Sequence, residues 1–213
     1  MSQNPASTAD LPVPEAVDLG LSVKWASFNL GASNPEEYGG YYQWAGTVDV
    51  SDTSIYLDWD NCPYHTGTDE SSGWTKYNTI SSFGTVDNKT VLDAEDDAAT
   101  VHLGGSWRMP TEEEWNELMN TSNCSWTWTS LWGVNGYKVQ SLKAGYTENY
   151  IFLPAAGFRL LSNLYDSRGC YWASSLSTSD PYRACEAFFN KDGVGQFLNG
   201  GRYSGMSVRP VTK

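Results

Sequence analysis

Charged residues are scarce in this chain, and basic ones scarcer still. Only 18% of the 213 residues are Asp, Glu, Lys or Arg, with 25 acids against 13 bases. The shortage of bases is local: residues 1–100 hold 16 acids and 3 bases, which leaves 9 and 10 for residues 101–213. Binding to a nucleic-acid backbone needs a basic stripe, so that class is excluded. The acidic excess reads as a solvated surface, with carboxylates gathered for calcium as the sharper alternative. There are two histidines, His65 and His102, neither beside a nucleophile motif, so each is read as structural. The four cysteines (Cys62, Cys124, Cys170, Cys185) form no CxxC pair, which leaves zinc and thioredoxin-type sites without support. Cys170 and Cys185 are either a disulfide or two lone thiols. No apolar run approaches the ~20 residues of a membrane-spanning helix. The opening MSQNPASTADLPVPEA lacks the basic start and apolar core of a signal peptide, and residues 1–14 read as a flexible linker.

Aromatics, by contrast, are plentiful. Ten Trp and 13 Tyr argue against disorder, and 20 Gly argue for much loop and turn. Residues 15–213 are long enough for one domain with its own core, without help from disulfides.

Along the chain, Val17, Leu19, Leu21, Val23 and Trp25 alternate with polar or small residues, the period of a half-buried strand. Thr47 to Asn88 shows no period. It is expected to be a long ordered loop pinned by Tyr56, Trp59, Tyr64, Trp74 and Tyr77. Two short helices follow. Asp93 is the expected cap of the first and Gly104 its end. In the second, Thr111 and Glu114 make a capping box, and Trp115, Leu118 and Met119 share the face that buries. After Asn120 the pattern turns to short strands. Asn135-Gly136 is the expected turn of one hairpin, and Lys191-Asp192-Gly193 of another. Strand, long loop, two helices and many short, mostly antiparallel strands make an α+β domain.

The segment WRMPTEEEW, Trp107 to Trp115, resembles the signature of formylglycine-generating-enzyme (sulfatase-modifying-factor) domains. The chain also resembles proteins of gut Bacteroidales that carry a Fibrobacter-type paralogous domain. VDLGLSVKWASFNLGASNPEEYGGYYQWAG, TKYNTISSFGTVDNKTVLDAEDDAA, GGSWRMPTEEEWNEL, WGVNGYKV, IFLPAAGFR, YWASSL and SVRPV carry the likeness across most of Val17–Val211. The resemblance implies a C-type-lectin-like fold in its formylglycine-generating-enzyme variant. Relatives in that fold include the variable proteins of diversity-generating retroelements, which display a rewritten C-terminal stretch as a binding face. Here that stretch corresponds to about Tyr171 to Met206.

The C-terminal residues fit such a face. Strand alternation sets Cys185, Ala187 and Phe189 inward, which leaves Glu186 and Phe188 toward solvent. Gln196, Phe197, Leu198, Asn199, Tyr203, Ser204 and Met206 follow in a glycine-broken stretch with no consistent inward side. Aromatic anchors among Ser, Asn and Gly are the mixture that recognition surfaces use. With Tyr182 and Arg183, these residues are the candidate ligand-binding set: Tyr182, Arg183, Glu186, Phe188, Gln196, Phe197, Leu198, Asn199, Tyr203, Ser204 and Met206. Val208 and Arg209 belong to the final strand and read as scaffold.

The expected function is non-catalytic recognition of a protein or glycan on another cell, at a cell surface, outside the cell or on a phage virion. No cofactor is expected, with calcium the open alternative. Asp58, Asp60, Asp69 and Glu70 are the acids considered for it, but they lack EF-hand spacing. The competing readings are a formylglycine-generating-type oxidase working through Cys170 and Cys185, and a structural or tip subunit of a surface fibre.

Overall fold

The computed structural model describes residues 11–195 and 198–213. In chain order the elements are β1 (Ala16–Val17), β2 (Lys24–Ala26), α1 (Ala98–Leu103), α2 (Glu112–Met119), β3 (Cys124–Leu131), β4 (Val134–Ser141) and β5 (Tyr150–Pro154). There follow β6 (Phe158–Leu160), β7 (Asn163–Tyr165), β8 (Arg168–Leu176), β9 (Arg183–Asn190), β10 (Gly193–Val194), β11 (Leu198–Gly201), β12 (Gly205–Met206) and β13 (Val211–Thr212). Among the described residues four small antiparallel sheets result: β1-β2-β13, β3-β4-β5, β7-β6-β12, and one centred on β9 with β8, β10 and β11 as partners. Two short helices among short antiparallel strands make this an α+β domain. None of its described helices is long and apolar enough to cross a membrane.

The β8–β9 pair divides the core. On one side Tyr171, Ala173, Cys185, Ala187 and Phe189 pack with Trp25, Trp115, Leu118, Val139 and Leu153. On the other side Cys170, Trp172, Ala184 and Met206 pack with Tyr42, Trp44, Tyr77 and Val208. Both faces of this pair are therefore covered. Indole N–H groups tie the layers together: Trp172 donates to the Tyr42 carbonyl at 2.8 Å, and Trp44 to the Ala173 carbonyl at 2.9 Å. Leu11 packs against the second cluster, and Pro14 is buried.

The WRMPTEEEW segment has a structural role. Thr111 accepts from the Glu114 N–H, and Glu114 accepts from the Thr111 N–H, closing the expected capping box. Glu114 also takes the Arg108 guanidinium at both oxygens, while the Arg108 backbone bridges to Val211 of β13. The start of α2 is thereby bound to the end of the chain. Trp115 and Leu118 are fully buried and Met119 partly so, as their spacing predicts.

Three local expectations change. The alternating run from Val17 to Trp25 is not one strand: Gly20, at φ +70°, turns the chain so that β1 and β2 pair antiparallel. Helix α1 is capped by Asp97, not Asp93, because the Asp93 carboxylate is taken by Lys76 and Lys89. The β3–β4 hairpin turns at Trp132-Gly133, both with positive φ, as a tight two-residue turn requires. Asn135-Gly136 lies inside β4 instead. Gly136 is needed there for close approach, since a Cβ would stand 2.3 Å from the Leu153 carbonyl oxygen.

The long segment from Thr47 to Asn88 is ordered by contacts more than by repeating structure. It contains two 3-10 turns, Trp59–Asn61 and Ser81–Phe83. Trp74 and Tyr77 are fully buried, Trp59 and Tyr64 partly, while Tyr56 is exposed. Both histidines serve this packing. His102 Nε2 lies 2.7 Å from the Thr47 carbonyl oxygen, and the His65 ring packs on Trp74 with centroids 4.7 Å apart.

Three arginines, Arg159, Arg202 and Arg209, are fully buried, and each faces backbone carbonyls. Arg159 donates to Val50, Asp52, Ile55 and Leu161. Arg202 donates to Lys76, Tyr77 and Pro181, with its guanidinium 4.1 Å from the Trp74 ring centroid. Arg209 donates to the Ala26 and Phe152 carbonyls and the Asn29 side-chain oxygen at 2.9, 2.7 and 2.9 Å. Replacing Arg209 with Ala strands those three acceptors, each at a cost of about 1–3 kcal/mol. We expect Arg209→Ala to lose about 3 kcal/mol or more in urea unfolding, while Arg183→Ala on the surface stays within about 0.5 kcal/mol.

Candidate functional site

The β9 strand carries the site. Its residues alternate between the two clusters, so Ala184, Glu186 and Phe188 share the face opposite Cys185, Ala187 and Phe189. β11 pairs along its edge, with Leu198 opposite Glu186, Asn199 opposite Cys185, Gly200 opposite Ala184 and Gly201 opposite Arg183. β12 runs back beneath this edge. It pairs with β6, and Met206 exchanges two backbone hydrogen bonds with Tyr42.

Between these strands lies a pocket of about 250 Å³. Its floor and walls include Glu186, Phe188, Tyr203, Ser204 and Met206 from the predicted set, joined by Phe158, Leu160, Arg168, Cys170, Gly200 and Gly201. Gly200 leaves the floor open. A Cβ there would stand 2.6 Å from Met206 Cε and 3.2 Å from Glu186 Oε2. The Arg168 guanidinium is 5.8 Å from the Phe158 ring centroid and 5.9 Å from that of Phe188, and Arg168 itself is exposed at the rim.

Two expectations about this face are corrected. Glu186 does not reach solvent: it is 7% exposed. Phe188 is half-buried and packs against the second cluster. The reason is the second layer. β6, β11 and β12 cover the face that alternation alone left open. Ser204 and Met206 are likewise buried, at 5% and 3% exposure. Tyr203 is half-buried, with its ring 5.9 Å from Trp59.

The remaining predicted residues are not gathered into the pocket. Tyr182 stacks on Phe83 at 6.0 Å, and exposed Arg183 lies over the Tyr182 ring. Asn199 is exposed and stands opposite Cys185, on the other face from Glu186. Gln196 and Phe197 lie outside the described residues, as does the side chain of Leu198. Phe158, Arg168 and Cys170 were missed because they come from strands distant in sequence. Only the Gly200-Gly201 pair carried a local signal, that of a close backbone approach.

Glu186 is the unusual group. Its Oε2 atom is buried without a hydrogen-bond partner among the described residues. Burial pushes its carboxyl up to about 7, with the Arg168 charge pulling the other way. Burial, followed by the charge of Glu186, also raises the Cys170 thiol. A larger cleft of about 600 Å³ beside α2 and β10 is lined by Asn116, Met119, Asn120, Thr121, Trp126, Val194 and Gly195, none of them titratable or charged.

The thiols do not form a redox pair. All four cysteines are free and buried. Cys170 stands opposite Phe188 and packs in the second cluster, while Cys185 packs in the first, so the two point to opposite sides of the sheet. Burial holds the Cys185 thiol up at about 12 and the Cys62 thiol at about 12. A reactive thiolate needs electropositive surroundings that lower its pKa; the charges of Arg202 at Cys62 and of Arg168 at Cys170 pull that way, but burial outweighs them.

Two of the acids considered for calcium are used locally. Asp58 caps the Trp59–Asn61 turn, and Asp69 accepts from Ser71 and Ser72. A separate acidic cluster, Asp93, Glu95 and Asp96, already surrounds the Lys76 ammonium at 2.8, 3.2 and 2.6 Å. Hydrogen bonds from Lys76, then Lys89, hold the Asp93 carboxyl down at about 2.

No family model, curated protein or solved structure matches this chain.

The state of Glu186 links stability to pH. Its folded carboxyl titrates near 7 against an ordinary value of 4.5. The folded form therefore keeps its proton after the unfolded form has lost it, and stability falls as pH rises from about 4.5 to 7. The shift corresponds to about 3 kcal/mol at most. Glu186→Gln removes this loss. In denaturant titrations the variant and the parent are expected to be equally stable near pH 4, and the variant the more stable by about 1–3 kcal/mol at pH 8.

Proposed function

We propose that this chain is a non-catalytic recognition protein of the C-type-lectin-like kind, built on the formylglycine-generating-enzyme variant of that fold. On this reading it is the variable protein of a diversity-generating retroelement. It displays its C-terminal stretch to a protein or glycan on another cell, from a cell surface, from outside the cell or from a virion.

The contrast in burial along the C-terminal strands carries the reading. Ala184, Ala187, Met206, Val208 and Arg209 are locked in the core. Between them Arg183 and Asn199 are exposed, and Tyr182 and Tyr203 are half-exposed. A fixed backbone thus presents Tyr182, Arg183 and Asn199 outside the pocket and Tyr203 in its wall. These are residue types that dominate recognition surfaces, and rigid presentation lowers the entropy lost on binding. The placement of Cys170 and Cys185 on opposite faces gives the oxidase alternative no comparable support.

Two experiments test this. Sequencing around the gene should find a reverse-transcriptase gene and an imperfect copy of the 3′ coding segment that differs at adenines. A locus with neither rejects the diversified part of the reading. Separately, Arg183→Ser combined with Asn199→Ser should shift the melting temperature by only about 2 °C or less, as expected of exposed positions in a domain of this size. The same pair should weaken binding of the labelled protein to intact cells or arrayed glycans about tenfold or more, in line with the loss of central interface residues. Unchanged binding in that variant rejects the recognition face.

A further inference from the structure

We propose that the Glu186 pocket receives one cationic group of the ligand, an ammonium or guanidinium, with Glu186 as its counter-charge. This rests on the recognition reading above and gives it a chemistry.

The first observation is the unpartnered oxygen. Buried polar atoms in folded proteins almost always have a partner, and an orphaned one calls for an explanation. Glu186 is 7% exposed, and its Oε2 has no donor among the described residues. It lines the pocket rather than the packed core. A donor arriving from outside would complete it, and a charged donor would do so most strongly.

The second observation is size. Sites for whole small molecules usually enclose about 300–1,000 Å³. This pocket, at about 250 Å³, suits a single head group such as the end of a lysine or arginine side chain. Gly200 keeps the floor clear, because a Cβ there would crowd Glu186 Oε2.

The third observation is the wall. Phe158, Phe188 and Tyr203 line the pocket, and aromatic faces attract cations. The Arg168 guanidinium already sits near two of these rings, at 5.8 and 5.9 Å. The chain's own rim residue thus rests where a ligand cation would pass. It competes with that cation by charge and has to swing aside.

The groups facing Glu186 are Arg168 and Cys170 on β8 and Tyr203 beyond β11. Arg168 is the only one of these that carries charge at neutral pH. Burial holds the Glu186 carboxyl near 7. A cation binds the ionised form, so its affinity is full above pH 7 and falls as pH drops below it.

The test uses the whole protein with its glutamate carboxyl carbons labelled, followed by NMR across pH. The probes are n-butylammonium and n-butylguanidinium, with n-butanol and butyrate as neutral and anionic controls. At a probe concentration about ten times its dissociation constant, a cation should lower the Glu186 midpoint by about one pH unit, and the amide signals of Gly200 and Gly201 should move with it. Butanol and butyrate should do neither. Glu186→Gln should weaken butylammonium binding at least tenfold, and Arg168→Met should tighten it. The proposal is overturned if the cations leave the midpoint of the parent protein unmoved, if butanol moves these signals as far as butylammonium does, or if Glu186→Gln binds the cation as tightly as the parent. Because the probes need no natural partner, a silent pocket alongside lost cell binding in the Arg183/Asn199 variant sinks the cation and spares the recognition reading.

Discussion

Three guanidinium groups buried against carbonyl oxygens hold this molecule together. Arg209 ties the carbonyls of Ala26 in β2 and Phe152 in β5, while Arg159 and Arg202 reach into a region where the chain lacks the regular hydrogen bonds of helix or sheet. A segment of that kind leaves many carbonyls that must be satisfied. A guanidinium offers five donors in a planar fork, so one side chain can gather several strands of irregular backbone. Removing it from water is costly, and burial pulls Arg202 and Arg209 down to about 10, yet both remain protonated at neutral pH. The long segment from Thr47 to Asn88 depends on two of these hubs: Arg159 fastens its first part and Arg202 its second.

Two of the three, Arg202 and Arg209, are placed by the same C-terminal stretch that helps build the pocket. Arg202 lies between β11 and β12, and Arg209 just before β13. Tyr203 and Met206 therefore lie between two fully buried arginines. The contrast with Glu186 is instructive. Each buried arginine has acceptors on several sides, even though the Nε of Arg159 and of Arg202 has none among the described residues, while no donor among them reaches Glu186 Oε2. One design meets most of a charged group's needs from within the chain, and the other leaves a buried carboxyl oxygen without a partner beside a pocket.

Local chemistry made part of this legible. The Thr111–Glu114 capping box, the burial of Trp115 and Leu118, and the inward row of Cys185, Ala187 and Phe189 depend on neighbours within a few residues, and all appear in the structure. The two-residue turn at Lys191-Asp192 likewise joins β9 to β10. What escaped depended on distant partners. Alternation along β9 could say that Glu186 and Phe188 share a face, but not that Phe158 and Met206 would cover it. Asn135-Gly136 has strong turn chemistry, yet Trp132-Gly133 makes the turn, because Gly136 is needed where β4 passes close to Leu153. Asp93 is a sound cap by composition, but Lys76 had claimed it. Arginine is so commonly a surface residue that nothing local marks Arg159 or Arg202 as interior.

The isolation of the four thiols has a consequence for what the fold depends on. Cys62, Cys124, Cys170 and Cys185 are each enclosed by different neighbours and joined to nothing. The folded domain thus holds its shape without a disulfide. Its stability rests on packing and on the buried guanidinium groups, so a reductant that breaks disulfides takes nothing from it.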